Sequence, residues 1–219
     1  MPNSLTAADL ELFATLRIPS DLVLGARIFR VSDAQARTFG FEFSSCSNLA
    51  GLVFPYFDPD KGYRVTARLR RDQPDIDETG REKAKYIIPW GDNGHLYFPP
   101  GVKELLGDPS VPTAFVEAEK SALAILAWAK RTGWKLFPIA TGGCWGWRGK
   151  PGAESEFQDK GRRGPLPDFN RVASVARGVY ILFDSNVLTN QMVARAREAL
   201  AKELFVRGAN VYLVNLPQE

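Results

Sequence analysis

Asp184 closes the apolar run VYILF (179–183), and Asn186 follows two residues later. Glu117 closes a second apolar run, TAFV (113–116), with Glu119 two residues beyond it. Carboxylates at the ends of core strands suit a hard divalent cation such as Mg²⁺ or Mn²⁺. Such an ion takes one or two carboxylates and completes its shell with water and phosphate oxygens. Glu119 also has a plainer reading, because it opens a helical pattern where its charge complements the helix dipole. Glu117 and Asp184 are therefore the candidates for catalysis and metal binding. Asn186 keeps the shape and one oxygen of an acid but lacks its charge, so a site meant for two divalent ions would hold at least one of them less well.

Cations form the second group of candidates. In YRVTARLR (63–70), a period of two puts Arg64, Thr66, Arg68 and Arg70 on one face and Val65, Ala67 and Leu69 on the other. A row of guanidiniums on a strand suits a phosphate backbone. A charged edge strand that resists aggregation has the same pattern. The stretch TGGCWGWRGK (141–150) joins glycines and tryptophans to Arg148 and Lys150. That composition serves to approach phosphates and stack on bases, or simply to pack a loop onto a core. No GKS or GKT follows it, so it is not a Walker A loop.

The rest of the composition narrows the chemistry. One histidine, His95, and two distant cysteines, Cys46 and Cys144, argue against a structural zinc site and against Ser-His or Cys-His triads. The thiols are expected to be reduced and the protein cytoplasmic. The start, MPNSLTAADLELF, lacks the layout of a signal peptide, and no apolar run suits a bilayer, so no membrane partner is expected. A net charge of +3 makes no global electrostatic case for nucleic acid, leaving local clusters to carry it.

Two kinds of element must position these residues. TAADLELFATL (6–16) reads as a helix capped by Thr6, with Leu10, Phe13 and Leu16 on one face, and shorter helices are expected near 20–25 and 32–38. LVFPYF (52–57) and YRVTARLR flank the turn DPDKG as a hairpin, and KYIIPW (85–90) and HLYFPP (95–100) add short extended pieces. After residue 110 strand and helix alternate: strands at 113–118, 135–141, 178–184 and 210–216, with helices over 118–133, 168–176 and 190–208. The expected fold is α/β, a mainly parallel four-stranded sheet flanked by helices, preceded by a small helical and antiparallel-strand subdomain. The domains are expected at 1–105 and 111–219, with one long connection, 141–167, too long to be passive.

Taken together these segments resemble the catalytic core of DnaG-type bacterial primases, and more closely the primase-like proteins of phages, plasmids and mobile elements. AGLVFPYFDPDKGYRVTARLR (50–70), then AKYIIPW and HLYFPP, looks like the segment preceding the primase TOPRIM domain. FVEAEKSALAI (115–125) resembles the TOPRIM glutamate motif, with Glu117 as the acid and Ala118 where glycine is usual. ILFDSN (181–186) resembles its Asp-x-Asp motif, with Asp184 matching the first acid and Asn186 the second. Ser121 stands where many such proteins carry another acid. The resemblance implies a TOPRIM-like fold and magnesium- or manganese-dependent nucleotidyl or phosphoryl transfer, as in primer synthesis during DNA replication of a mobile element. Glu117 and Asp184 would be catalytic, with Asn186 and Glu119 beside them at the metal. Arg68 or Arg70, and Lys85, fall where primases contact template or nucleotide phosphate. Single-stranded DNA, nucleotides and a replicative helicase are the implied partners. Asn186 also admits a degenerate module that grips single-stranded DNA beside a helicase, and related domains include nucleases.

Overall fold

The computed structural model describes residues 3–42, 47–149 and 163–217; Cys46 and Lys150 lie outside them. The chain divides into two compact units, Met1–Asp92 and Asn93–Glu219.

The first unit contains, in order, α1 (Ala7–Thr15), α2 (Ser20–Gly25), β1 (Phe29–Val31), α3 (Asp33–Thr38), β2 (Gly51–Phe57), β3 (Arg64–Arg71), β4 (Asp75–Ile76), β5 (Glu82–Lys83) and β6 (Tyr86–Ile87). Thr6 caps α1 in a reciprocal box with Asp9. The helix does not bury Leu10, Phe13 and Leu16 together, as its spacing suggests; Asp9 and Phe13 face inward while Leu10 and Leu16 are exposed. The reason is electrostatic: Arg30 donates its Nε–H to Asp9 Oδ2 at 2.7 Å and draws that acid into the interior. β1, β2, β3 and β6 form an antiparallel sheet in that order. Val31, Val53, Ala67, Leu69 and Ile87 of the sheet share one core with Ala36, Phe41 and Leu49. Gly51 is required where β2 meets β3, since a Cβ there would lie 2.1 Å from the Arg70 carbonyl oxygen.

The second unit holds α4 (Lys103–Leu106), β7 (Thr113–Val116), α5 (Glu119–Thr132), β8 (Phe137–Ala140), β9 (Arg148–Gly149), β10 (Gly164–Pro165), β11 (Gly178–Leu182), α6 (Gln191–Val206) and β12 (Asn210–Leu213), with 3₁₀ turns at Pro167–Arg171 and Ser185–Leu188. Its main sheet is four-stranded and entirely parallel, in the order β12-β11-β7-β8, with helices packed against it. The molecule is thus α/β, with an antiparallel sheet on the amino-terminal side of the parallel one. β7 and β8 are buried throughout because they are near-continuous apolar runs, β11 alternates, and the edge strand β12 is largely exposed. Phe115, Phe137, Ile139, Val179, Ile181 and Phe183 share one core with Val193, Ala196, Leu200 and Leu204 of α6. Gly133, in the left-handed region at φ 73°, ends α5.

Two segments sit differently from their sequence reading. HLYFPP does not extend the antiparallel sheet: Tyr97 pairs antiparallel with Ala140 at the margin of β8, and Leu96 and Phe98 enter the second core. This segment belongs to the second compact unit, which begins at Asn93. Over 168–176, where a helix is expected, only the 3₁₀ turn Pro167–Arg171 forms, and it inserts Phe169 into the core. No helix among the described residues is long and apolar enough to cross a membrane.

Candidate functional site

β7 and β11 are hydrogen-bonded neighbours, running parallel with Val116 opposite Leu182. Both strands therefore release their next residues at the same end of the sheet, the end where open parallel sheets gather their ligands. There the backbone N–H of Asp184 donates to Oε1 of Glu117 at 3.1 Å. The two acids converge although 67 positions separate them in sequence. Asp184 is exposed and Glu117 partly so.

A tight loop after β8 closes around the same point. Thr141 donates its N–H to the Val116 carbonyl at 2.9 Å, and Gly143 donates to the Glu117 carbonyl at 2.8 Å. Gly142 and Gly143 hold φ values of 72° and 112°, a region that side chains disfavour. At Gly146 a Cβ would lie 2.0 Å from the Thr141 carbonyl oxygen. The glycines of TGGCWGW thus allow the chain to turn back on the strand ends. The loop brings in Cys144, a neighbour that no motif announced. Burial pushes the Cys144 thiol above its ordinary value, and the charges of Glu117 and then Asp184 push it further the same way.

The other acid candidates are placed less openly. Glu119, the first residue of α5, is fully buried. Its charge acts on buried Tyr97, whose hydroxyl is held above the usual tyrosine range by burial first and by Glu119 second. Asn186 is exposed on the 3₁₀ turn after Asp184, its carbonyl taking the N–H groups of Thr189 and Asn190. Among the described residues, no group of three or more His, Cys, Asp or Glu side chains is placed to hold a metal ion. What meets at this end of the sheet is the Glu117 carboxylate and the Asp184 backbone.

A family model for a domain of unknown function, DUF3854, matches residues 103–219, more than half of the chain and the whole stretch from α4 through β12. The chain belongs to the DUF3854 family. Glu117, Asp184, Asn186 and the 141–149 loop all lie within the DUF3854 region. No curated protein matches the sequence.

The DUF3854 region also holds Arg148, whose guanidinium lies 5.3 Å from the Trp145 ring and 5.5 Å from the Trp147 ring. Its Nε–H donates to the Arg163 carbonyl at 3.1 Å. Lys150, the other cation expected here, is outside the described residues.

The remaining cations precede the DUF3854 region, and one departs from its expected face. β3 bulges against β2: Tyr56 pairs with Thr66 but Phe57 pairs with Arg64, leaving Val65 as the extra residue. The bulge breaks the period of two and turns Arg64 to the opposite face from Arg68 and Arg70. Arg64 lies 5.7 Å from the Phe39 ring, while Arg68 lies 4.3 Å from the Tyr86 ring. Lys85 pairs with Glu82 at 2.7 Å. The continuous arginine row read from the sequence is reduced to Arg68 and Arg70.

Proposed function

We propose that this protein is a TOPRIM- and primase-like nucleotidyltransferase, acting in the cytoplasm on single-stranded DNA and nucleotides to make primers for replication of a mobile element. The observation that carries the reading is the 3.1 Å hydrogen bond from Asp184 N–H to Glu117 Oε1. It draws together, just past the ends of adjacent parallel strands, the two residues that resemble the acids of the TOPRIM motifs.

One hard divalent ion suits this donor set. Mg²⁺ is held by one or two carboxylates together with water and substrate phosphates, without a full protein cage. Glu117 and Asp184 would hold it, with the Asn186 amide as a neutral oxygen donor on the following turn. Bound there, the ion supplies charge neutralisation and alignment for a phosphoryl group. The chain's own residues supply the rest. The Thr141–Gly143 loop fixes the backbone that carries Glu117, and Arg148, lying across its two tryptophans, offers donors for phosphate. In the first unit Arg68 and Arg70 provide cations on one sheet face for a nucleic-acid backbone.

A primer-synthesis assay with single-stranded template, ribonucleotides and Mg²⁺ or Mn²⁺ tests the proposal. Product is expected from the wild-type protein and none from Glu117→Gln. Absence of product from both overturns it.

The burial of Glu119 and the amide at Asn186 favour a second reading, a non-catalytic module that grips single-stranded DNA beside a helicase. That module would bind DNA with an affinity that falls with salt and ignores chelator. Loss of binding on adding chelator rejects it.

A further inference from the structure

Residues 128–135, WAKRTGWK, carry two tryptophans and three cations and no acid. They form the last turn of α5 and lead into β8. Gly133 turns the chain in the left-handed region, and the Trp134 N–H donates to the Ala129 carbonyl at 3.1 Å. This is a Schellman-type ending, which folds the residue after the glycine back onto the helix. The rings of Trp128 and Trp134 meet as a result, with centroids 5.6 Å apart and planes tilted by 48°. Any apolar pair closes such an ending, so the contact does not by itself call for two indoles. Nor does it bury them: Trp134 stays 64% exposed and Trp128 37%.

The charge beside the rings is of one sign. Arg131 follows Trp128 by three positions, on the same side of the helix, and Lys135 adjoins Trp134 in the chain. Both are exposed, as is Lys130. Among the described residues none of these three cations has a hydrogen bond or an ion pair. Asp108 is within reach of the Lys135 charge, but its carboxylate already accepts from the Ser110 N–H and hydroxyl, at 3.0 and 2.6 Å. Lys130 and Arg131 also complement the dipole of the helix they end. Lys135 lies beyond the helix, where that role does not account for it.

We propose that this end of α5 is a docking surface for single-stranded nucleic acid, with a base stacked on Trp134, braced by Trp128, and phosphates meeting Arg131 and Lys135. A ring face beside unpaired cations is complementary to a polymer that alternates bases with negative charge. A lipid surface asks instead for an apolar stripe along the helix, and α5 turns Ala122, Leu123, Leu126, Ala127 and Ala129 into the core. The inference rests on the nucleic-acid reading above for its choice of polymer, and not on the acid pair or an ion there. α5 begins two residues after Glu117 and is 14 residues long, which carries its far end about 20 Å from the acids. A strand held there is gripped away from the point of reaction.

Anisotropy of a fluorescent oligo(dC) strand, measured with chelator present to remove any metal-held contact, tests the proposal. Trp134→Leu keeps an apolar side chain for the helix ending but removes the ring face, and is expected to weaken binding about tenfold. An abasic strand of the same length has nothing to stack and should bind the wild type and Trp134→Leu equally. Arg131→Ala combined with Lys135→Ala should lower the salt slope by about 1.4, the value for two single-strand phosphates. Wild-type affinity in Trp134→Leu, or an equal loss on both strands, overturns this surface alone. If Trp134→Leu keeps the strand but loses binding to phosphatidylserine vesicles, the surface faces a membrane and the proposal is overturned. A wild-type protein that binds no strand overturns both this surface and the nucleic-acid reading. One that binds through Trp134 yet makes no primer supports the surface and overturns only the proposed synthesis.

Discussion

Arg71, at the end of β3, and Arg177, just before β11, are both fully buried, yet they are held in different ways. Arg71 donates to the carbonyls of Asn48 and Lys83 and ends on the carboxylate of Asp75 at 2.7 Å. Arg177 donates to the carbonyls of Ala173, Val111, Leu105 and Leu106 and faces the Phe137 ring. Burial lowers its hold on the proton, with the charge of Asp108 acting in the other direction. Ion pairs occur in both units, in the second as Arg171 with Asp168 and Arg207 with Glu203. Around the antiparallel sheet, charges are neutralised in pairs: Arg30 bridges Asp9 and Asp72, Arg37 meets Asp33, and Lys85 meets Glu82. The parallel unit fixes its buried cation with backbone dipoles and carries two acids together at the open ends of its strands. Charge in the first unit belongs largely to the scaffold, whereas the acids of the second sit at the open ends of its strands, and that is where ligand chemistry is to be sought.

The largest effect should come from Arg177→Met. It leaves four carbonyl oxygens without their donor inside a core and is expected to lower stability by about 3–5 kcal/mol, read from denaturant unfolding. Arg71→Met should cost less, about 2 kcal/mol, because Asp75 lies near enough to solvent to rehydrate. Equal losses would break the comparison.

Acid should find the first unit before it disturbs the second. Arg30 holds the Asp9 carboxyl down to about 2, from 3.8. A folded value below the unfolded one means that the stabilisation is fully present above about pH 4 and is lost as pH falls towards 2. Asp75 moves the same way, first through the Ser47 hydroxyl and next through Arg71. Asp9→Asn is accordingly expected to cost about 1–2 kcal/mol at pH 7 and much less at pH 2.5. A pH-independent cost in unfolding midpoints would show that packing, not charge, draws Asp9 inward.

Element existence was legible because periodicity and punctuation are local. Thr6, Gly133 and the apolar runs mark their helices and strands directly, and strand–helix alternation implied parallel neighbours whose ends would bring Glu117 and Asp184 together. What escaped was non-local. The bulge at Val65 depends on how β3 meets β2, and it reverses Arg64. Asp9 is turned inward by Arg30, 21 positions away. Cys144 reaches the acids through a loop whose path is set by hydrogen bonds to β7, and Glu119 is sealed by packing that its place at a helix start does not reveal. The pairing of Tyr97 with Ala140 likewise reassigns a segment whose own pattern says only that it is extended.

Glu117→Gln isolates the acid pair from the scaffold. A glutamine carbonyl still accepts the Asp184 N–H, so unfolding should shift by less than about 0.5 kcal/mol. Mn²⁺ affinity, followed by calorimetry, should fall at least about tenfold through the lost carboxylate. A destabilised variant with unchanged Mn²⁺ affinity would make the pair a structural device like those of the first unit.

The smallest effect tests whether any charge in the first unit is available to a ligand. Arg68 and Arg64 lie on opposite sheet faces because of the bulge, so a single strand of DNA laid on one face meets only one of them. Arg68→Ala is expected to weaken binding to a single-stranded oligonucleotide about threefold and to reduce the salt slope by about 0.7, the value for one phosphate contact. Arg64→Ala should change affinity by less than about twofold and leave the slope alone. Equal losses from the two variants would mean that both contribute through long-range attraction, which added salt abolishes for both alike. No loss from either would make Arg64 and Arg68 as much a part of the scaffold as Arg71.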